Sequence, residues 1–183
     1  LLDCFILRES AGTGKTSIIK AVIQILNKNN IHTTICAPTN RAAKVIGSKT
    51  GRTARSIHSE IFFPEEDAMH NRILLHPKDN DSNLYTVFII DESSMISDRF
   101  SNSGSFLHKK SLLQSIVSYV KQGNKKNKIL FIGDEYQLSP VNESFSPALD
   151  EDYLSEKLKL NCIAMKLDVV MRQNNTHPIL NLA

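Results

Sequence analysis

A short segment near the amino end of the chain has the residue types and spacing of a phosphate-binding loop. Gly12 and Gly14 allow a tight turn that brings backbone N–H groups against anionic oxygens. Lys15 is placed to reach the β- and γ-phosphates of a nucleotide, and the Thr16 hydroxyl is placed to hold a magnesium ion. We therefore predict that the nucleotide phosphates are bound by Ser10, Ala11, Gly12, Thr13, Gly14, Lys15, Thr16 and Ser17.

One residue departs from the usual pattern of such loops. In G-x-x-x-x-G-K-[ST] the first glycine falls on Glu9. A carboxylate at the rim of an anion site opposes the field of Lys15 and would weaken nucleotide binding. A side chain that points outward would have no such effect, and the sequence leaves both alternatives open.

Two further polar groups follow apolar runs and complete a candidate site for ATP chemistry. Asp91 and Glu92 come directly after the run 86–90, and we assign Asp91 to the magnesium ion and Glu92 to the general base that activates water. Gln137 lies beyond the run 128–132 and is placed to reach the γ-phosphate. The alternatives are a helix cap or surface charge for the two acidic residues and a plain polar loop for Gln137.

The elements that must position these residues alternate along the chain. Apolar runs predict strands, and apolar residues at helical spacing predict helices between them. We predict strands over 4–7, 33–37, 86–90, 128–132 and 164–167, and helices over 16–26, over 40–48, along a face from Phe106 to Val120, and near the carboxyl end. This order indicates an α/β domain with a mostly parallel sheet and helices on both faces, in which ligands bind at the carboxyl ends of the strands.

Residues 61–85 do not fit the alternation. The segment contains Phe62, Phe63 and Pro64, an acidic patch, a second apolar run and a polar stretch. We predict a small inserted hairpin within a single domain that covers residues 1–183.

Composition sets limits on the class of protein. The 183 residues are 41% hydrophobic and 22% charged, and the net charge of +3 permits nucleic-acid binding without requiring it. No apolar run approaches the roughly 20 residues that a membrane span needs. Three cysteines without metal-ligand spacing suggest reduced thiols, so we expect a cytoplasmic protein that has no membrane partner. The chain has no initiator Met, so we expect it to be part of a longer protein.

Six motifs along the chain carry a family resemblance. They read SAGTGKT from Ser10, APTNRAAKVI from Ala37, TARSIH from Thr53, IIDESSMI from Ile89, FIGDEYQLSPV from Phe131 and VVMRQ ending at Gln173. In this order they resemble the first motor domain of a superfamily 1 DNA helicase of the RecD-like and Dda-like branch. The resemblance implies a RecA-like P-loop NTPase domain that binds ATP and Mg²⁺ and acts on single-stranded DNA.

The resemblance also implies roles for individual residues. Arg172 would be an arginine finger on the γ-phosphate, and residues 61–85 would occupy the place of the wedge that splits the duplex. The residues along the DNA backbone would be Pro38, Thr39, Asn40, Thr53 and His58. From composition alone, His58 is more often a structural histidine and Thr39 a helix cap.

The function implied by the resemblance is ATP-dependent movement along single-stranded DNA, in the context of DNA repair and recombination. The family uses a second RecA-like domain to complete the ATP cleft, and we expect that domain to lie outside these 183 residues. Two alternatives stay open: a catalytically inactive helicase-like subunit that binds nucleic acid, and a P-loop phosphotransferase. Oligomeric state, polarity and the preferred DNA structure are not determined by the sequence.

Overall fold

The computed structural model describes residues 2–10, 14–100 and 110–167. Eight strands and five α-helices lie in this part of the chain. They are β1 (Cys4–Glu9), α1 (Lys15–Lys28), β2 (His32–Ala37), α2 (Asn40–Thr50), β3 (Ala54–Ser56), α3 (Ile57–Ile61), β4 (Phe62–Asp67), β5 (Arg72–Pro77), β6 (Thr86–Ile90), α4 (Leu112–Gly123), β7 (Lys128–Asp134), α5 (Glu151–Leu158) and β8 (Cys162–Leu167).

Six of the strands form one parallel sheet. Its order is β3-β2-β6-β7-β1-β8, and every neighbouring pair runs in the same direction. Helices connect the strands, so the predicted α/β fold with a parallel sheet is confirmed. Because parallel strands end at a common edge, the loops after β1, β2, β6 and β7 lie together there.

The sheet separates two apolar cores, which explains the composition of its strands. One core packs α1 and α2 on the sheet through residues such as Ile19, Ile23, Ile46 and Ile89. The other core contains residues of α3, α4 and α5, among them Leu113 and Leu154. All five residues of β6 are buried, as the continuous apolar run predicts for a central parallel strand.

The predicted hairpin is present as β4 and β5. The two strands pair antiparallel, from Phe62 opposite Pro77 to Asp67 opposite Arg72. Phe62 is buried in the core at the base, whereas Phe63 and Ile73 are exposed. Near the tip, Asp67 accepts hydrogen bonds from His70 at 2.8 Å and Arg72 at 3.0 Å.

Several elements differ from those expected from sequence. Most predicted elements are longer than expected by one to a few residues, and β3, α3 and α5 were not predicted. Strand β3 has only three residues, and α5 buries only Leu154 in its eight residues, so neither has a sufficient periodic pattern. Phe106 and the expected carboxyl-terminal helix lie outside the described residues. No helix in the described ranges combines the length and apolar character that a bilayer crossing requires.

Candidate functional site

Lys15 is the first residue of α1 and lies at the centre of the candidate site. The helix begins after Gly14, whose φ of 92° is in the left-handed region that glycine adopts without a steric penalty. The backbone N–H of Ser17 donates to the Gly14 carbonyl at 2.9 Å, which closes the first turn. Ser10 follows β1 and is half-buried, whereas Ala11, Gly12 and Thr13 lie outside the described residues.

Three carboxylates from two strand ends surround the Lys15 ammonium. Its Nζ lies 2.8 Å from Glu9 Oε1 and 2.9 Å from Glu92 Oε1. Asp91 Oδ1 is at 3.4 Å. Glu9 ends β1 and Asp91 follows β6, so the parallel sheet brings them to one edge. The inward direction of Glu9 settles the alternative that the sequence left open.

Burial and charge act in opposite directions on these groups. Burial would lower the pKa of Lys15, but the carboxylates of Asp91, Glu9 and Glu92 outweigh it and raise that pKa above its ordinary value. Burial raises the pKa of Asp91, and the Lys15 ammonium offsets part of that rise. Lys15 is therefore held as a cation among three carboxylates.

Glu92 has a strained backbone at the point where β6 ends. Its φ of 53° and ψ of 40° are in the left-handed region, which costs a non-glycine residue about 1 kcal/mol or more. A 3-10 turn, Ser93–Met95, follows and packs against β7. A Cβ at Gly133 would lie 2.9 Å from the Ser94 backbone nitrogen, so glycine at 133 allows this turn to approach the sheet.

The residues assigned to magnesium border a common cavity. A cavity of about 280 Å³ is lined by Lys15, Thr16, Asp91 and Glu92 together with residues of α2. Asp91 Oδ1 is buried, accepts no hydrogen bond and contacts Lys15 Nζ at the ion-pair distance of 3.4 Å, so this oxygen retains a lone pair for a metal ion. Within the described ranges no group of three or more His, Cys, Asp or Glu side chains forms a metal cage. This donor set suits Mg²⁺, which is usually bound by one or two carboxylates together with phosphate oxygens and water.

Two cations of this cavity were missed in the sequence analysis. Arg41 and Lys49 line it from α2, with Val45 between them. Arg41, Val45 and Lys49 follow one another at intervals of four residues, which places them along one side of a helix, and that periodicity was the available signal. Both carry positive charge toward a cavity that contains the candidate phosphate-binding lysine, as suits an anionic ligand.

The candidate DNA-binding residues fall into two places. Pro38, Thr39 and Asn40 follow β2 at the same edge of the sheet as the nucleotide cleft, and His58 follows β3 there. Thr53 precedes β3, which runs parallel to β2, so it lies toward the opposite edge. Four of the five residues are thus brought to one edge, and Thr53 is separated from them.

Thr39 and His58 also have structural roles. The Thr39 hydroxyl accepts a hydrogen bond from the Ala42 backbone N–H at 3.1 Å and caps α2. His58 is half-buried, and its ring centroid lies 5.9 Å from that of Phe62. Burial lowers the pKa of His58 and so favours the neutral imidazole.

The remaining catalytic candidates are Gln137 and Arg172. Gln137 is exposed in the turn after β7, where its backbone N–H donates to the Asp134 carbonyl at 3.2 Å. Glu135 in the same turn pairs with Lys166 of β8. Arg172 lies outside the described residues.

Comparison with known proteins assigns the sequence to a family. Residues 2–143 match the AAA domain family. The chain is 30% identical over 178 residues to the ATP-dependent RecD2 DNA helicase of Deinococcus radiodurans, covering 97% of this chain and 21% of that protein. It is 27% identical over 174 residues to the ATP-dependent DNA helicase dda of Enterobacteria phage T4, covering 94% of this chain and 35% of that protein.

A solved structure supports the same fold. The Pif1 helicase from Candida albicans matches with a TM-score of 0.60 at 19% identity, over 99% of this chain and 39% of the Pif1 chain. At this identity the likeness shows the fold, which is the predicted RecA-like one. The chain belongs to the AAA domain family, and its relatives and its fold support the predicted resemblance to a RecA-like N-terminal motor domain of the RecD-like and Dda-like branch of superfamily 1 helicases.

Proposed function

We propose that this domain binds and hydrolyses ATP to drive movement along single-stranded DNA. The observation that carries the proposal is the cleft in which Lys15, Asp91 and Glu92 meet, with Lys15 Nζ 2.9 Å from Glu92 Oε1. A P-loop lysine after β1 beside two acidic residues at the end of the buried strand β6, two positions away in the sheet, is an arrangement suited to phosphoryl transfer. Arg41 and Lys49 add positive charge to the same cavity.

In this proposal the residues divide the work of hydrolysis. The loop from Ser10 to Ser17 binds the phosphates through backbone N–H groups, and Lys15 binds the β- and γ-phosphates. Glu92 accepts a proton from the attacking water, because it is a half-exposed carboxylate at the mouth of the cleft. Gln137 and Arg172 are assigned to the γ-phosphate.

Magnesium would be held by Asp91 and the Thr16 hydroxyl. The buried Asp91 oxygen that accepts no hydrogen bond supports this assignment. When bound, Mg²⁺ neutralises phosphate charge that develops during transfer. The protein's own contribution is to fix Asp91 at the end of β6 and Thr16 in the first turn of α1.

The DNA path in this proposal runs along the carboxyl edge of the sheet. Pro38, Thr39, Asn40 and His58 contact the backbone there, and we retain Thr53 as a fifth candidate. The β4–β5 hairpin is the candidate wedge. We further propose that a second RecA-like domain of the same protein completes the ATP cleft, and that the protein acts in the cytoplasm in DNA repair and recombination. RecD2 and dda, whose names describe ATP-dependent DNA helicases, are matched over only 21% and 35% of their lengths.

The test is ATP hydrolysis by the intact protein with and without single-stranded DNA. We expect hydrolysis that DNA stimulates and that Lys15→Ala abolishes. A phosphotransferase would instead show no stimulation by DNA and would require a small acceptor. Hydrolysis that is unaffected by DNA at saturating nucleotide would contradict the helicase proposal.

A catalytically inactive nucleic-acid-binding module is the second candidate. The ion pair between Glu9 and Lys15 favours this candidate, because the Glu9 carboxylate contacts the ammonium that would otherwise bind phosphate. An inactive module should bind DNA but show no measurable affinity for ATP in the presence of magnesium. Micromolar binding of a fluorescent ATP analogue would exclude this candidate.

A further inference from the structure

We propose that Glu9 is a built-in competitor for Lys15, which nucleotide phosphates must displace each time they bind. The inference rests on the proposed nucleotide-binding function and names a residue that tunes it. Glu9 departs from the phosphate-loop pattern, which has glycine at this position.

Geometry gives Glu9 this role. Glu9 is only 4% exposed, and its Oε1 lies 2.8 Å from Lys15 Nζ, the shortest of the three carboxylate contacts of that ammonium. The adjacent Arg8 faces away, since its Nε donates to the Leu149 carbonyl at 2.9 Å and successive strand residues point to opposite sides. The strand therefore directs Glu9, and not Arg8, into the cleft.

Two effects then weaken phosphate binding: the loss of the contact between Glu9 and Lys15, and the repulsion between the carboxylates and the phosphates. Lys15 must leave a short contact with Glu9 before it can bind a phosphate oxygen, and Glu9 loses its ammonium partner while it is almost fully buried. The incoming phosphates also bring negative charge next to the three carboxylates around Lys15, a repulsion that Arg41 and Lys49 of α2 offset in part. Asp91 is assigned to a magnesium ion and Glu92 to the attacking water, whereas Glu9 is assigned no step of hydrolysis.

The effect comes from charge rather than from backbone shape. Glu9 continues β1 in register with Asp134, and it is not among the residues with positive φ in the described ranges. Position 9 therefore does not need glycine for its own conformation in this state. A neutral side chain of the same size should relieve most of the competition.

The first experiment compares Glu9→Gln with the unchanged intact protein. We expect the dissociation constant of a fluorescent ATP analogue with magnesium to fall at least fivefold in Glu9→Gln and to a similar extent in Glu9→Gly. Glu135→Gln is the matched control, because Glu135 lies at the same edge of the sheet but pairs with Lys166. The control should stay within twofold of the unchanged protein, and equal constants for Glu9→Gln and the unchanged protein would overturn the inference.

A second measurement separates this inference from the proposed function. Thermal unfolding without nucleotide is compared for Glu9→Gln, Lys15→Met and the double variant. An ion pair predicts that the shifts of the two single variants do not add in the double variant, and additive shifts would overturn the inference whatever the nucleotide affinity. If the shifts are not additive and neither Glu9→Gln nor the unchanged protein binds ATP, the proposed function fails and the competition fails with it.

Discussion

At the scale of single residues, Glu92 is the side chain that separates binding from chemistry. It lies 2.9 Å from Lys15, is more exposed than Asp91, and follows the buried strand β6. Its left-handed backbone turns the chain sharply at this point. A carboxylate that is accessible to water beside the phosphate-binding lysine is suited to accept a proton.

Glu92→Gln should therefore retain nucleotide binding and lose hydrolysis. The amide preserves size and hydrogen bonding but cannot act as the base, so we expect turnover to fall by about a hundred- to ten-thousandfold. Measurements of turnover and of ATP-analogue binding on the same preparation check this. Lys15→Ala should impair both, and normal turnover in Glu92→Gln would show that the base is assigned to the wrong residue.

The sequence predicted which residue types lie in the candidate site better than it predicted where their side chains point. The lysine, the acidic pair and the hydroxyl were identified because their spacing after glycines and apolar runs is specific. The direction of Glu9 was not predictable, since it depends on the phase of β1 against its neighbours. Arg41 and Lys49 were missed because no motif includes them, although their helical spacing was visible.

At the scale of elements, α2 joins the nucleotide cleft to the proposed DNA path. Its N-cap is Thr39, whose hydroxyl accepts the Ala42 N–H at 3.1 Å, and its next turns contribute Arg41 and Lys49 to the cavity. Thr39 therefore has a structural role that can be separated from a role in binding DNA.

Substitutions at Thr39 distinguish the two roles. Thr39→Ala removes the cap and should lower the free energy of unfolding by about 1 kcal/mol. Thr39→Asp restores a capping oxygen, so stability should return, but its charge should repel DNA phosphates and weaken DNA binding several-fold. Chemical denaturation and DNA titration without nucleotide measure the two effects. Unchanged DNA affinity in Thr39→Asp would remove Thr39 from the proposed path.

The β4–β5 hairpin gives a second prediction at this scale. Replacing residues 64–75 with a two-residue turn keeps Phe62 in the core, so the domain should fold and retain DNA-stimulated ATP hydrolysis. Strand separation should be lost if the hairpin is the wedge. A forked-duplex unwinding assay beside an ATPase assay tests this, and normal unwinding per ATP hydrolysed would rule out the wedge role.

Long apolar strands were predictable from sequence, whereas short or polar elements were not. Strand β6 was predicted with its observed bounds because an unbroken apolar run is typical of a central parallel strand. Helix α3 has five residues and α5 eight, mostly polar, so tertiary packing rather than local pattern determines them.

At the scale of the whole molecule, the net charge of +3 is modest, so the proposed binding of DNA depends on where the positive side chains lie on the surface. The proposed contacts address the DNA backbone rather than base edges, so we expect binding that depends strongly on salt and little on sequence. The logarithm of the association constant should fall linearly with the logarithm of salt concentration, by about 0.7 for each phosphate neutralised. Anisotropy titrations with oligonucleotides of different sequence measure both dependences, and a strong sequence preference at fixed salt would contradict the proposal.

The position of β1 in the sheet has a consequence for how the protein is made. Cys4 is paired with Ile129 on one side and with Cys162 on the other, so β1, the first of the described strands in chain order, is paired with the two last ones. Contacts so distant in sequence make folding slow, because a long loop must close before they form. Until Lys128–Asp134 has left the ribosome, the backbone of β1 has neither of its neighbouring strands to pair with. The nascent chain should therefore fold late and cooperatively, and it should depend on chaperones for as long as β1 is unpaired.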